Sequence, residues 1–268
     1  MRLNKLLFTL SFIFISLNTQ AENILRLATT TSTENSGLLS VLHPIFEERF
    51  NCQLHVLAVG TGKALKLAEN GDVDIVLVHA PNAELAFINE GLGINRTPVM
   101  HNDFILVGPP QDLAQVKQAK SIIHALHNIA ATQSQFISRG DDSGTHKKEN
   151  ALWQTADINP VGVWYVQSGQ GMGAVLKMAN EKQAYTLTDR GTYLAFQSKL
   201  DLTILFEKEP PLLNPYHIMV VNPARQPHVK YELAQHYIDF VTGSEGQNII
   251  ASYKMAGQTL FYPDVIKQ

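Results

Sequence analysis

The segment that decides the fold prediction reads Ser138-Arg139-Gly140-Asp141-Asp142-Ser143-Gly144-Thr145-His146-Lys147-Lys148-Glu149. Arg139 is a fixed cation, and Ser143 and Thr145 are small hydroxyl side chains placed just before an amphipathic helical run. Gly144 lets the backbone approach a ligand closely, and the first N–H groups of a helix have no partner within the helix. The segment therefore predicts an anion-binding loop, to which Arg139 adds charge and a fork of donors.

The same residues also admit a purely structural interpretation. Asp142 or Ser143 caps the helix, and Arg139 pairs with Asp141 at the protein surface. One such loop does not decide between the two interpretations, whereas further loops of the same kind favour anion binding.

The chain repeats the order of strand, polar loop and helix from Ile24 onward. Apolar runs predict strands at residues 24–28, 54–59, 73–78, 104–107, 136–138, 163–167, 185–188 and 218–221. Helical spacing of apolar residues predicts helices at 38–50, 64–70, 121–129, 149–156, 174–182 and 230–242. This alternation predicts α/β architecture, with mostly parallel sheets flanked by helices.

Ligands of such folds bind at the carboxyl ends of the strands. In this chain those ends carry loops rich in glycine or hydroxyls, at residues 30–32, 60–62, 139–145, 169–173 and 188–192. A single sheet cannot easily bring all of these loops together, whereas two small lobes that face each other can.

We therefore predict two lobes. The first consists of residues 22–107 and 214–268, and the second of residues 108–213. The crossovers between them are expected near residues 103–108 and 213–221.

The N-terminus has the pattern of a secretory signal peptide. Arg2 and Lys5 precede an apolar core at residues 6–17, and Thr19-Gln20-Ala21 fits a cleavage site near Ala21. The apolar core is shorter than the about 20 residues of a membrane span. Cys52 is the single cysteine, so no internal disulfide is possible. These features predict a soluble protein of the periplasm.

The charge balance excludes nucleic acid as a partner. The formal net charge is −3, and removal of the leader takes away Arg2 and Lys5 but no acid. No basic stripe compensates for this acidity. An acidic protein that binds an anion must use a local field of oriented N–H groups and one or two cations.

Motifs at the strand ends are specific in combination. They read Leu27-Ala28-Thr29-Thr30-Thr31-Ser32-Thr33, Ala58-Val59-Gly60-Thr61-Gly62-Lys63-Ala64-Leu65, residues 71–81, the segment from Ser138 to Glu149, Gly169-Gln170-Gly171-Met172-Gly173 and residues 185–192. Together they resemble the periplasmic tungstate-binding proteins of tungstate ABC transporters. The likeness continues to Leu260-Phe261 and so covers the mature chain. Asn35 and Lys63 depart from the family pattern, where Asp and Gln are expected.

The resemblance implies the two-lobed type II periplasmic-binding-protein fold, closure over tungstate, and delivery of the anion to a membrane permease driven by a cytoplasmic ATPase. It implies a monomeric binding protein, with no cofactor and no enzymatic activity. Together with the loop chemistry it predicts these ligand-binding residues: Thr30, Thr31, Ser32, Gly60, Thr61, Arg139, Ser143, Gly144, Thr145, Gly171 and Arg190.

Tungstate is a tetrahedral dianion that carries no proton at neutral pH, so its pocket should contain donors only. Hydrogenphosphate differs because its proton needs an acceptor. Asp141, Asp142 and Asp189 therefore decide between the two anions. We expect Asp141 and Asp142 to orient Arg139 and cap the helix, and Asp189 to act similarly near Arg190. Molybdate has nearly the same size and charge as tungstate, so residue spacing cannot separate these two.

Two other functions are compatible with isolated motifs. Gly60-Thr61-Gly62-Lys63 is similar to part of a phosphate loop, but the full nucleotide-binding spacing is absent. Ser143, Asp142 and His146 are the residue types of a hydrolase triad, although no Gly-x-Ser-x-Gly motif occurs. A secreted hydrolase therefore stays open as the alternative from another class, beside a binding protein for molybdate or phosphate.

Overall fold

The computed structural model describes residues 23–265. The predicted signal peptide lies outside these residues. The elements in chain order are β1 (Ile24–Thr30), α1 (Thr31–Asn35), α2 (Leu39–Phe50), β2 (Gln53–Val59), α3 (Thr61–Asn70), β3 (Ile75–Val78), α4 (Pro81–Asn89), β4 (Gly93–Gly108), α5 (Ile122–Thr132), β5 (Phe136–Ser138), α6 (Gly144–Thr155), β6 (Tyr165–Gln167), α7 (Met172–Lys182), β7 (Thr186–Asp189), α8 (Arg190–Phe196), β8 (Thr203–Phe206), β9 (Leu213–Val221), α9 (Tyr231–Thr242), α10 (Ser244–Ser252), β10 (Lys254–Met255), β11 (Gln258–Thr259) and β12 (Tyr262–Pro263). Between residues 23 and 265, no helix is long and apolar enough to span a membrane.

The predicted α/β architecture is present, but its sheets are mixed. Strand β1 pairs in parallel with β2 and β3, and β5 pairs in parallel with β6, as the strand-loop-helix units predict. Strand β9 runs antiparallel to both β3 and β4. The prediction of mostly parallel sheets is wrong at these strands, because β4 leaves the first predicted lobe and β9 returns beside it in the opposite direction.

Strand β4 takes part in both predicted lobes. Its early residues pair with β9, as far as Asp103 opposite Leu213. From Phe104 onward it pairs instead with β7 and β8. The change of partner between Asp103 and Phe104 falls within the predicted crossover and before residue 107, where we place the lobe boundary.

Three helices begin earlier in the structure than apolar spacing predicts. Helix α3 begins at Thr61, α6 at Gly144 and α7 at Met172. The first turn of each helix is polar or glycine-rich, so the apolar period becomes visible only after it. Residues predicted to form loops therefore belong to the first turns of helices.

An aromatic cluster fills the core behind α6. Phe136 lies edge-on to Trp153, with ring centroids 5.3 Å apart, and Trp153 lies edge-on to Trp164. Glu149 is buried among these rings, where it accepts hydrogen bonds from Trp153 Nε1 at 3.2 Å and from the Tyr165 hydroxyl at 2.6 Å. Burial outweighs these hydrogen bonds and raises the pKa of Glu149 to about 7.

We predict that Glu149→Gln stabilises the protein at alkaline pH. A pKa of about 7 against an ordinary 4.5 means that the folded state holds the proton more tightly than the unfolded chain. The stability that the folded state gains by holding this proton is complete below about pH 4.5 and is lost as the pH rises through about 7. Glutamine keeps both hydrogen bonds and never ionises. Urea unfolding should show the variant gaining about 3 kcal/mol over the native protein between about pH 4 and pH 8.

The matched control is Glu48→Gln at an exposed position of α2. Its difference from the native protein should stay within about 0.5 kcal/mol at every pH. A pH-independent difference for Glu149→Gln would contradict the assignment of a protonated, buried carboxyl group.

Candidate anion-binding site

Within residues 23–265, five helices begin at one cleft of about 340 Å³, namely α1, α3, α6, α7 and α8. The cleft is lined by Thr30, Thr31, Ser32, Asn35, Val59, Gly60, Thr61 and His79 from the first predicted lobe, and by Arg139, Ser143, Gly144, Thr145, Gly171, Met172, Gly173, Ala174, Asp189 and Thr192 from the second. Helix N-termini present unpaired N–H groups and the positive end of the helix dipole. Their convergence makes the cleft attractive to an anion.

Two of these helices have bare glycine caps. Gly60 precedes α3 and Gly171 precedes α7, and a glycine has no side-chain acceptor for the first-turn N–H groups. A Cβ atom placed on either residue would meet no atom within 4 Å in the described chain. The backbone is therefore open to a ligand here, and the N–H groups of these first turns are available to it.

Hydroxyl groups supply further donors. The Ser143 Oγ accepts from the backbone N–H of His146 at 3.3 Å, which caps α6 and leaves the hydroxyl proton free to donate. Thr30 Oγ1 lies 3.1 Å from Ser32 Oγ and 2.6 Å from Thr33 Oγ1. The first turns of α1 and α6 thus bring oriented hydroxyls to the cleft.

Arg139 is held by Asp141, as predicted. Its Nε lies 3.1 Å from Asp141 Oδ2, and Asp141 Oδ1 accepts from the backbone N–H of Ser143 at 3.2 Å. Burial acts to raise the pKa of Asp141, but the bonds from Ser143 and Arg139 bring it below its ordinary value. The carboxylate therefore fixes Arg139 against the wall and ties it to the first turn of α6.

Asp142 does not have the predicted role. It is exposed, its carboxylate lies 3.4 Å from Lys147 Nζ, and its backbone N–H donates to His146 Nδ1 at 3.0 Å. The side chain that caps α6 is that of Ser143. Asp142 adopts a left-handed conformation, with φ +59°, and its carboxylate reaches neither Arg139 nor the N-cap bond.

Asp189 is a carboxylate in the wall of the cleft. It caps α8, and both of its oxygens are occupied by Thr192: Oδ1 accepts from the backbone N–H at 2.8 Å and Oδ2 from the hydroxyl at 2.7 Å. The predicted capping role of Asp189 is therefore present, but its charge is not paired with Arg190. Each oxygen keeps a further lone pair, so Asp189 still has accepting capacity at the wall of the cleft.

Arg190 lies outside the lining of the cleft. Its guanidinium is buried and forms a fork with Asp103, with Nε–Oδ1 and Nη2–Oδ2 distances of 2.6 Å, and also bonds to Glu207. Burial acts to lower the pKa of Arg190, and the bonds to Asp103 and Glu207 raise it above its ordinary value. The structure brings together every other predicted site residue but engages Arg190 elsewhere.

The lining also contains residues outside the predicted set. These are Asn35, Val59, His79, Met172, Gly173, Ala174, Asp189 and Thr192. His79 is the most consequential, since it is a titratable group in a cleft of donors. Its one signal in the sequence is its position as the first polar residue after the apolar run that ends at Val78.

The chemistry of the cleft suits an anion, and the residues of the candidate triad are not arranged as a triad. Ser143 Oγ bonds to the backbone of His146, while the His146 ring bonds to the backbone of Asp142 and to Asn150. The chain that a triad requires, from hydroxyl to imidazole to carboxylate, is not formed by these residues. In the described part of the chain, no three His, Cys, Asp or Glu side chains cluster as metal ligands.

Comparison with known proteins agrees with this chemistry. Residues 18–245 match the PBP superfamily domain. The tungstate-binding protein TupA of Peptoclostridium acidaminophilum is 46% identical over 253 residues, which cover 93% of this chain and 88% of that protein. The crystal structure of the tungstate ABC transporter from Geobacter sulfurreducens is 56% identical, covers 86% of this chain and 98% of its own, and has a TM-score of 0.79. The tungstate-binding protein TupA from Desulfovibrio alaskensis G20 is 46% identical, with coverages of 90% and 98% and a TM-score of 0.83.

A ligand cleft built from helix N-termini at the edges of α/β sheets defines the class of the periplasmic binding proteins. The chain belongs to that superfamily and, within it, to the family of the tungstate-binding proteins. The predicted periplasmic-binding-protein fold is thereby confirmed, and the family is one of binding proteins and not of enzymes. Membership also agrees with a periplasmic location.

We predict that Asp103→Ala destabilises the fold strongly. The variant leaves the buried Arg190 guanidinium with Glu207 alone, and removal of one partner from a buried ion pair costs about 3–5 kcal/mol. The loss in free energy of unfolding should be near the lower limit, about 3 kcal/mol, because Glu207 stays paired with Arg190. Urea unfolding measures it, with the exposed Asp201→Ala as control, which should change stability by less than about 0.5 kcal/mol. Equal stabilities for the two variants would contradict a structural role for the Arg190 cluster.

Proposed function

We propose that this protein captures tungstate in the periplasm and delivers it to an ABC-type importer in the membrane. The observation that carries the proposal is the convergence of five helix N-termini and Arg139 on one cleft. The relatives described above support tungstate as the anion, because they are tungstate-binding proteins or belong to a tungstate ABC transporter.

The donors of the cleft match the demands of tungstate. Every oxygen of this dianion accepts hydrogen bonds, and none donates. The proposed ligand-binding groups are the hydroxyls of Thr30, Thr31, Ser32, Thr61, Ser143 and Thr145, the backbone N–H groups near Gly60, Gly144 and Gly171, and the Arg139 guanidinium. A bond from a charged donor is about twice as strong as a neutral one, so Arg139 should contribute most among the side chains.

Asp189 is the carboxylate in the cleft lining that bears on the choice between tungstate and hydrogenphosphate. The proton of hydrogenphosphate needs an acceptor, and each Asp189 oxygen accepts one bond from Thr192 and keeps a further lone pair, so the preference for tungstate over hydrogenphosphate rests on the family relationship. Fully deprotonated dianions avoid this need. Molybdate satisfies the same chemistry as tungstate, so the preference between these two rests on the family relationship.

Capture involves both lobes of the protein. We propose that residues 22–107 with 214–268 and residues 108–213 close around the anion, because each lobe contributes part of the cleft lining. The closed, monomeric protein would then dock on the membrane permease. Export would precede all of this, with removal of the leader near Ala21.

We predict that Arg139→Ala weakens tungstate binding by about 1.5–3 kcal/mol, which is about 10- to 150-fold in Kd. Isothermal titration calorimetry measures the change. Arg139→Lys keeps the charge without the fork and should fall between the native protein and the alanine variant.

The matched control removes an exposed cation of the nearby helix α6, Lys147→Ala, and should keep the native affinity within about twofold. Native affinity in Arg139→Ala would place this residue outside the site. Titrations with tungstate, molybdate, sulfate and phosphate complete the test. Tight binding of phosphate without binding of tungstate would overturn the proposed function.

A further inference from the structure

His79 connects the cleft to a buried hydrogen-bond network. Its Nε2 lies 3.1 Å from Thr30 Oγ1, and its Nδ1 lies 2.9 Å from Asn214 Oδ1. The ring packs on Tyr216, with centroids 4.6 Å apart. Both His79 and Thr30 line the cleft, so the protonation of this ring affects the donors that face a ligand.

The network beyond Asn214 sets which ring nitrogen carries a proton. The Asn214 Nδ2 donates to Asn102 Oδ1 at 2.7 Å and to the Tyr216 hydroxyl at 3.3 Å. The Oδ1 of Asn214 therefore faces His79 as an acceptor, and Nδ1 of His79 must be the donor to it. In the neutral ring, Nε2 then has a lone pair directed at Thr30.

That lone pair determines the use of the Thr30 hydroxyl. Its single proton must satisfy Nε2 of a neutral His79, since Nε2 can only accept. Thr30 Oγ1 then has no proton to give to the cleft, while it accepts from the backbone N–H of Thr33 at 3.3 Å and lies 2.6 Å from Thr33 Oγ1 and 3.1 Å from Ser32 Oγ. When His79 is an imidazolium, Nε2–H donates to Thr30 Oγ1, and the ring no longer takes the hydroxyl proton, which is released toward the anion.

We propose that tungstate binding is coupled to the uptake of one proton by His79. The proton comes from solvent and goes to Nε2, and the hydroxyl of Thr30 turns from the ring to an oxygen of the bound anion. His79 is thus a positioning residue for Thr30 and a source of positive charge that exists only in the complex. The anion is bound through its oxygens.

The charges around the ring permit this coupling. Burial lowers the pKa of His79, so the ring is neutral before the anion arrives, while the bond to Asn214 and the charges of Asp189 and Glu84 act in the opposite direction. Glu84 is already paired, with Arg96 at 2.8 Å and with His217 at 3.0 Å. On the cleft side Arg139 forms an ion pair with Asp141.

A dianion beside the ring adds two negative charges and raises its pKa. This increase in the pKa of His79 determines how the affinity for tungstate depends on pH. Because the complex holds more protons than the free protein, affinity falls as the pH rises between the two pKa values of His79, by up to about tenfold per pH unit. The inference rests on the proposed function, since it requires tungstate in this cleft.

The experiment is calorimetric titration of the full protein with tungstate at one pH, in buffers of different ionisation enthalpy. The dependence of the observed enthalpy on the buffer gives the number of protons taken up. We expect the number to approach one near about pH 7 and the affinity to fall toward about pH 9. Tungstate carries no proton in this range, so the protein must be the acceptor.

Three variants identify the residue that takes up the proton. His79→Gln keeps an amide donor and cannot titrate, so proton uptake should vanish and affinity should become independent of pH. His127→Gln, at an exposed position of α5, is the matched control and should behave as the native protein. Uptake that persists in His79→Gln but disappears in Asp189→Asn would overturn the proposal and assign the proton to Asp189.

A measurement on the native protein keeps the test independent of the folding of any variant. The NMR shift of the His79 Cε1–H group against pH should give a higher pKa with tungstate than without it. Tungstate binding with no proton uptake and an unchanged His79 pKa would contradict the proposed coupling of binding to proton uptake and would leave the proposed function intact. No binding of tungstate at any pH would overturn both.

Discussion

The structure depends on one constraint, which is that the N-termini of helices from both predicted lobes point into the same cleft. Backbone N–H groups at these ends have no partner within their helices, and bare caps at Gly60 and Gly171 leave them open. An overall acidic protein can hold a dianion there because the attraction is local. These N–H groups donate to oxygens that carry no proton, which is why this part of the cleft suits a deprotonated oxyanion.

The crossover region keeps these helices in place. Arg190 at the start of α8 is bound to Asp103 on β4, at the point where this strand changes partners. Lys148 on α6 donates to the backbone carbonyls of Pro211 and Leu213, at 2.9 and 3.2 Å. Two helices that begin at the cleft are therefore bonded to residues in or next to the predicted crossover segments.

The sequence predicts what local pattern determines and misses what strand register determines. The glycines and hydroxyls at strand ends are visible because apolar runs precede them. His79 acquires its role from Asn214, which is distant in the chain and is brought near by the antiparallel pairing of β3 with β9. Arg190 looks like an anion ligand until the register of β4 and β7 sets Phe104 opposite Asp189 and so brings Asp103 to it. Local motifs carry no information on such registers.

The most direct measurement is anomalous X-ray diffraction at a tungsten absorption edge, from crystals of the protein grown with tungstate. We predict one strong peak inside the cleft, between the first turns of α3, α6 and α7, with donors of both lobes about 2.7–3.2 Å from the oxyanion oxygens. A peak held by exposed lysines outside the cleft, or one that contacts donors of a single lobe only, would contradict the assignment.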